Sequence, residues 1–418
     1  MRGTPSRRSA EQSQEVVMAS AEVSLKIAAP MLEVAQTVQE QGGEQLKECY
    51  QCGTCTAVCP WGDLRSFSPR RFIELARTGL EGFENDAWTC VTCKRCWDRC
   101  PQDINIPQLF QSVRRILLES SSNPRTLNQP LGSIRAVGNP WGEPVEKREA
   151  WARQAEVPVY GPGTEHLLFT CCTNDYDARN KRDSQAIVEV LRAAGASFGH
   201  LGNDQRCCGD LAYTAGDTAA FEQMREANRA TFGRVRAGSV LLTSPHCLHA
   251  FKNRYDDPEG RKRGDGNGQG ETRYRHVVEL FAEALKAGAL KPTRKVARKV
   301  TYHDPCYLGR YNGVYDAPRE VLAAVPGLEF REMAHHREAS LCCGGGGGGV
   351  WVETAKGERL GDLRIREALD AGADTIATAC PFCVQMLESS ILSFGLEEQL
   401  KVATVAELLA ESLRPGEG

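Results

Sequence analysis

Eight cysteines of this chain fall into two runs of identical spacing, Cys49-x2-Cys52-x2-Cys55-x3-Cys59-Pro60 and Cys90-x2-Cys93-x2-Cys96-x3-Cys100-Pro101. Thiols this close along a chain can surround one metal centre. Three on a tight loop converge on a point, while the fourth is carried away by the following turn and is aimed at a neighbouring centre. The expected ligand sets are therefore Cys49, Cys52, Cys55 with Cys100, and Cys90, Cys93, Cys96 with Cys59. A segment with these sets must fold around two adjacent sites.

The chain has eighteen cysteines in 418 residues. Disulfides would suit a small secreted protein, but Arg2, Arg7 and Arg8 are followed by no apolar stretch, so no secretory signal is expected. A reducing cytoplasm is the consistent compartment. C-x2-C pairs also hold zinc. Two complete runs with the trailing proline instead match the bacterial ferredoxin pattern, whose cysteines hold [4Fe–4S] cubes. Two adjacent cubes make a one-electron relay. Net charge is −3, which gives no reason to expect nucleic acid. No apolar run approaches the roughly 18–20 residues that cross a bilayer. Any membrane would be reached through a partner, placing the chain in the cytoplasm or at the inner face.

Five segments are expected. Residues 1–47 form an arm with an apolar pattern from Glu22 to Val38, interrupted by Pro30. Residues 48–118 hold the two-cluster module. Residues 119–160, rich in Ser, Asn, Pro and Gly, read as a wrapping linker. The rest reads as a duplication, 161–292 and 293–418. The first copy has a strand at His166–Thr170, a helix at Ser184–Ala194, a helix at Ala220–Val235 and a strand at Ser239–Thr243. The second has strands at Lys299–His303 and Thr375–Ala379, with helices from Pro318 and at Arg359–Ala371. Apolar strands alternating with amphipathic helices predict parallel α/β units. Their cysteines fall just past strand ends, where open α/β sheets bind ligands. The insert between Asp256 and Arg275 is charged and glycine-rich and reads as a surface excursion.

The downstream cysteines carry a resemblance. Cys306, Cys342-Cys343-Gly344 and Cys380-Pro381-Phe382-Cys383 are similar to the cysteine-rich CCG domain of heterodisulfide reductase. Related domains occur in the iron–sulfur subunits of glycolate oxidase and anaerobic glycerol-3-phosphate dehydrogenase, in lactate-utilisation proteins and in DsrK-type subunits. The order over residues 45–412, ferredoxin module then two CCG domains, resembles the D-type subunit of heterodisulfide reductase. The resemblance implies a noncubane [4Fe–4S] cluster on Cys306, Cys342, Cys343, Cys380 and Cys383, able to cleave a disulfide in one-electron steps. From the residues alone, five thiolates exceed what one cube needs, so either an expanded cluster or a spare nucleophile is implied.

The first copy departs from the pattern. Cys172, Cys207, Cys208 and Cys247 are present, but Ser244 stands where the C-P-x-C cysteine belongs, and an additional Cys171 sits beside Cys172. Cys171 could replace the missing ligand from a different loop. An ordinary cube, an incomplete cluster, an open substrate pocket, or cysteines kept as small packing residues are the alternatives.

Gly344–Gly349 is a run of six glycines. No Gly-Lys-Ser/Thr follows, so it is no P-loop. Gly344 and Gly345 are expected to let backbone amides approach cluster sulfurs. His303 and His246 lie within three residues of motif cysteines. Either could protonate a leaving thiolate; a structural hydrogen bond is the plainer role. Arg310, Tyr311 and Asn312 form a polar group expected to line the pocket. The segment Gly309–Gly313 is similar to relatives that take electrons from electron-transfer flavoprotein and reduce menaquinone. Asn139-Pro140-Trp141-Gly142 reads as a turn with a packed indole.

The expected protein is an iron–sulfur oxidoreductase subunit with two readings of its terminal step. It relays electrons between a flavoprotein (electron-transfer flavoprotein or a flavin dehydrogenase) and a membrane cytochrome or quinone-reactive subunit. Alternatively, its C-terminal cluster itself reduces a disulfide or related sulfur substrate. A metal-storage scaffold, the third reading, would need accessible ligands in place of two coupled cubes.

Overall fold

The computed structural model describes residues 30–256 and 272–415. Of the helix expected over 22–38, the described part begins just past Pro30, as Leu32–Val38. Its earlier portion, the N-terminal arm and the body of the glycine-rich insert lie outside the described residues.

Helices Pro69–Thr78 and Ile106–Glu119 frame the two cysteine runs. Each opens on a capped first turn that also holds a proline. The Ser68 hydroxyl accepts from the Arg71 amide at 3.2 Å, and Asn105 Oδ1 accepts from the Gln108 amide at 3.2 Å. Their apolar faces meet where Phe72 stacks on Phe110, ring centroids 3.8 Å apart. Burying one such ring contributes roughly 1.5–3 kcal/mol. The two cysteine loops trace the same path. Gln51 and Gly53 take φ of 57° and 84°, and Thr92 and Lys94 take 51° and 68°. Short helices Thr54–Ala57 and Arg95–Asp98 then follow. Glycine makes the second left-handed step freely, whereas Lys94 makes it at a cost of about 1–2 kcal/mol. Its ammonium reaches the Arg310 carbonyl at 2.7 Å.

Each later unit is a four-stranded parallel sheet. The first has β1 His166–Phe169, β2 Phe198–Gly199, β3 Ser239–Leu242 and β4 Arg273–His276, in the order β2-β1-β3-β4. The second has β5 Arg298–Tyr302, β6 Leu328–Phe330, β7 Thr375–Thr378 and β8 Lys401–Thr404, in the order β6-β5-β7-β8. The orders are identical once the copies are aligned. β1 and β7 are buried along their whole length, as parallel strands covered by helices on both faces should be.

The copies face each other. Helix Asn180–Ala193, after β1, packs on Val405–Leu413, after β8; Val277–Lys286, after β4, packs on Asp316–Ala324, after β5. First meets last in both directions, which is the signature of an approximate two-fold. The stretch read as a linker is more ordered than its composition suggested. It contains helices Asn128–Val137 and Val145–Gln154, whose buried Leu131, Ile134 and Trp151 join the hydrophobic core of the first sheet.

Arg114 ties the three modules together. Fully buried on the helix Ile106–Glu119, it donates to the carbonyls of Ala87 (2.8 Å), Thr214 (2.9 Å) and Gly347 (3.0 Å), and also to that of Cys90. These acceptors belong to the cysteine-loop module, the first sheet unit and the second.

Candidate functional site

Cys49, Cys52, Cys55 and Cys100 line one cavity, and Cys59, Cys90, Cys93 and Cys96 line another. Each set combines three thiols of one run with the last thiol of the other. The first lies at the surface, with Cys52 exposed and the neighbouring Tyr50 73% exposed. The second is walled by Trp61, Phe67 and Phe110. The amides of Gln51 and Thr92 donate to the sulfurs of Cys49 and Cys90 at 3.4 Å. Burial first, then the thiolates of Cys90 and Cys93, push the Cys96 thiol up. Sulfurs crowded this way cannot ionise together unless a cationic centre sits among them. The donor sets therefore fit cubes.

The five C-terminal cysteines also converge. Cys343 Sγ lies 3.3 Å from Cys383 Sγ, and the thiols neighbour one another in the order Cys306, Cys342, Cys343, Cys383, Cys380. All five are buried. The Gly344 amide donates to Cys342 Sγ at 3.3 Å with φ at +95°, which explains the glycine of the Cys-Cys-Gly motif. His303 lies within 4.8 Å of the sulfurs of Cys343 and Cys383. Its Nδ1 accepts from Nε of the buried Arg364 at 3.1 Å, so the ring proton belongs on Nε2.

His246 reaches this set from the other copy. Its Nδ1 is 2.8 Å from Asp210 Oδ2, and Arg254 donates to Asp210 Oδ1 at 2.9 Å. Burial works against a charged ring, but Asp210 outweighs it and raises His246 to about 10. Burial likewise opposes ionisation of Cys380, yet Cys383 and His246 bring it down to about 6. Each group thus favours the charged form of the other. His246 stacks on Tyr307 at 3.9 Å and meets Phe382 edge-on at 4.6 Å. His246 and Phe382 hold equivalent places, each between the proline and the last cysteine of its motif, so they meet at the two-fold.

In the first copy, Cys172 touches Cys207, Cys207 touches Cys208, Cys208 touches Cys247, and Cys247 touches Cys171. The Gly209 amide donates to Cys207 Sγ at 3.4 Å, as Gly344 does to Cys342. Arg148, on the helix Val145–Gln154, donates to Cys172 Sγ at 3.2 Å and pairs with the buried Asp175.

The cysteine-loop module and the second CCG domain meet near sulfur. Cys93 of the second cysteine loop touches Cys342. Around that contact, Arg310 Nε donates to the Cys93 carbonyl at 2.7 Å and Tyr311 OH to the Thr92 carbonyl at 2.8 Å. Asn312 turns back to the Tyr307 carbonyl at 2.6 Å. These residues dock one module on another, and Tyr311 also lines a small cavity with Thr92, Lys94 and His249. Arg310 Nη2 is buried without a partner among the described residues, beside Cys93, Cys306 and Cys342, which suits an anionic cluster there. The glycine run has a second use as well. A Cβ on Gly346 would lie 2.5 Å from the Val91 carbonyl oxygen, and one on Gly347 would lie 2.6 Å from that of Cys90. Gly345 stays within the cysteine set, its Cβ position 3.7 Å from Cys343 Sγ.

Sequence reasoning overlooked Asp210, Arg148, Arg364 and Arg114. Asp210 had a signal, since it directly follows Cys207-Cys208-Gly209. The arginines had none, because a charged residue on an amphipathic helix reads as solvated until its neighbours are known. The Asn139 turn is as expected: Oδ1 accepts from the Trp141 amide at 3.0 Å, and the indole packs edge-on against Trp351 at 5.3 Å.

Comparison with known proteins agrees with this organisation. Residues 44–104 match the "4Fe-4S dicluster domain" family, and 166–252 and 300–388 each match the "Cysteine-rich domain" family, CCG. A probable iron-sulfur-binding oxidoreductase, FadF, of Bacillus subtilis is 34% identical over 79% of this chain and 47% of its own length. The EtfAB:quinone oxidoreductase of Syntrophomonas wolfei subsp. wolfei is 32% identical over 78% of this chain and 46% of its own. The chain thus spans about half the length of these two relatives. The D-type subunit of the dihydromethanophenazine:CoB–CoM heterodisulfide reductase of Methanosarcina barkeri is 28% identical over 88% of this chain and 94% of its own length. Among the described residues, no helix is long and apolar enough to cross a membrane.

Proposed function

This chain belongs to the iron–sulfur oxidoreductases that resemble the D-type subunit of heterodisulfide reductase, and from that premise we propose that it links a flavoprotein donor to a quinone-linked membrane subunit at the cytoplasmic face. The docking of the second cysteine loop on the second CCG domain supports the reading: Arg310 Nε donates to the Cys93 carbonyl at 2.7 Å and Tyr311 OH to the Thr92 carbonyl at 2.8 Å, which sets Cys93 beside the five-cysteine set. Bound clusters would supply one-electron carriers: cubes in the ferredoxin module and a noncubane centre on Cys306, Cys342, Cys343, Cys380 and Cys383.

Exposure supports an entry point at the first set. Exposed Cys52 and Tyr50 mark where a partner's redox group can approach the first set. The five C-terminal cysteines, by contrast, are all buried. A flavin hydroquinone surrenders two electrons and two protons; a quinone takes both to become the quinol. A path of one-electron carriers couples the two while the protons travel separately. The names of the Bacillus and Syntrophomonas relatives are consistent with this.

The test is to reduce electron-transfer flavoprotein photochemically, mix it anaerobically with the purified chain, and then add membranes carrying the quinone-linked partner together with a menaquinone analogue. Reoxidation of the flavin at the expense of the quinone is the expected result. Reoxidation only when a heterodisulfide is supplied would replace the relay with disulfide reduction. That second reading has its own support in the charged His246 beside the Cys380 thiolate, a proton donor at a sulfur site.

A further inference from the structure

The first CCG domain lacks one motif cysteine, and the structure shows where the loss is compensated. β1 and β3 are adjacent parallel strands in the register Leu168↔Leu241 and Phe169↔Leu242. Continuing that register past the strand ends brings Thr170 beside Thr243 and Cys171 beside Ser244. The Cys171 amide donates to Thr243 Oγ1 at 3.0 Å, which fixes the loop at this point. Cys171 is 5% exposed, and its thiol meets Cys247.

Ser244 is occupied elsewhere. Its hydroxyl accepts from the His246 amide at 3.3 Å, capping the helix Pro245–His249. Its counterpart Cys380 begins the helix Pro381–Phe394 with no side-chain cap, leaving its sulfur for the cysteine set. The cysteine has thus moved sideways across one strand spacing, about 4.8 Å, and the serine left behind serves the backbone.

We propose that the first CCG domain binds its own iron–sulfur cluster on Cys171, Cys172, Cys207, Cys208 and Cys247, with Cys171 supplying from β1 the thiolate that Ser244 cannot supply from β3. The contact order Cys172–Cys207–Cys208–Cys247–Cys171 reproduces Cys306–Cys342–Cys343–Cys383–Cys380 of the second domain. Arg148, donating to Cys172 and with Nε buried and unpartnered, offsets the negative charge of such a group. Neither packing residues nor an open substrate pocket accounts for five buried, neighbouring thiols with an arginine donating to one of them at 3.2 Å. The proposal is independent of the relay, which stands with or without this centre.

The test is anaerobic iron and sulfide quantitation with Mössbauer and paramagnetic resonance spectra on the full chain. Four clusters would give about sixteen irons. The Cys171→Ala variant should lose or alter one spectral component, leaving those of the cubes and of the Cys306 set unchanged. Adding Ser244→Cys to that variant, which returns the motif cysteine to its usual strand, should restore the component. A wild-type protein with about twelve irons, or a Cys171→Ala protein with unaltered spectra, would overturn the proposal. A double variant that stays like Cys171→Ala would overturn it too, by showing that Cys171 packs without ligating. Should Cys171→Ala not fold, Cys171→Ser and the wild-type iron count decide the matter. Failure of the relay would instead show as missing cube or Cys306-set components.

Discussion

Arg310 donates from Nε to the carbonyl of Cys93 across 2.7 Å, and the same guanidinium holds the Ser340 carbonyl at 2.7 Å through Nη1. One buried cation thus clamps the second cysteine loop to the strand-end loops of the second CCG domain at the point where Cys93 meets Cys342. A methionine in its place would fill much of the volume but strand two buried carbonyls, each costing about 1–3 kcal/mol. Arg310→Met should lower the melting temperature by several degrees and slow reduction of the Cys306 set through the cubes. Lysine, a single point donor, should not rescue it. A variant with wild-type melting and wild-type rates would remove Arg310 from the clamp.

The glycine run supplies the opposing face of that junction. Alanine at Gly346 would drive its Cβ to 2.5 Å from the Val91 carbonyl oxygen, well inside any real contact. Gly346→Ala should separate the cysteine loop from the CCG domain. Iron at Cys306, Cys342, Cys343, Cys380 and Cys383 should remain, while its reduction through the cubes is lost. Gly161→Ala, with nothing near its Cβ position and an ordinary φ, is the control. Equal rates in the two variants would show that the run is a loop and not an interface.

Much of this was legible in the sequence, and the reasons differ by element. The cube sets follow from spacing alone, because a short loop constrains where its own thiols go. The duplication was visible because strand, cysteine and helix recur in order, and both sheets show it. What could not be read was whatever depends on which strands are neighbours. Cys171 seemed to lie on the wrong loop because sequence distance hides that β1 and β3 are adjacent. His246 seemed to belong to its own copy, yet its ring lies against Cys380 of the other. The linker misled for a different reason: Gly138 and Pro144 flank two short helices while Pro130 and Gly132 lie within the first, and their apolar faces were too brief to declare a period.

Asp183 gives a pH prediction away from the metal sites. Burial first, then the neighbouring Glu407, raises its carboxyl to about 7. Between roughly pH 4 and 7 the folded chain keeps a proton that the unfolded chain releases, so stability falls as pH rises through that window. Above it the full cost, on the order of 4 kcal/mol, is carried by the fold. Asp183→Asn removes the ionisation while leaving an oxygen for Asn174 Nδ2, which now donates to it at 2.9 Å. The variant should melt several degrees above wild type at pH 8, with the gap narrowing at pH 5.5. A gap that does not change between pH 5.5 and 8 would mean that Asp183 is ionised in both states over that range and that burial does not raise it.

Arg114 tests whether the three modules are one folding unit. Its carbonyl partners Ala87, Thr214 and Gly347 come from three separate parts of the chain. Arg114→Lys keeps the charge but cannot reach all of them, so it should cost about 3 kcal/mol or more. Proteolysis should then cut between modules that resist it in the wild type. An uncut variant with unchanged melting would place the cohesion in the hydrophobic contacts instead.

The two readings of the terminal step separate at His246. A relay needs only electrons at Cys380, so a neutral side chain of similar size should leave flavoprotein-to-quinone transfer nearly intact. Disulfide cleavage also needs a proton for each thiolate released, and a positioned general acid is worth about a hundredfold or more. Asp210 holds His246 toward its charged form, which makes it a candidate acid beside Cys380. His246→Gln should therefore abolish any heterodisulfide reduction while sparing quinone reduction, with iron content and spectra unchanged. If both rates fall together and spectra shift, His246 is a positioning residue for Cys380. If disulfide turnover persists at the wild-type rate, the proton comes from elsewhere, and His303, its Nε2 proton facing the Cys343 and Cys383 sulfurs, is next in line.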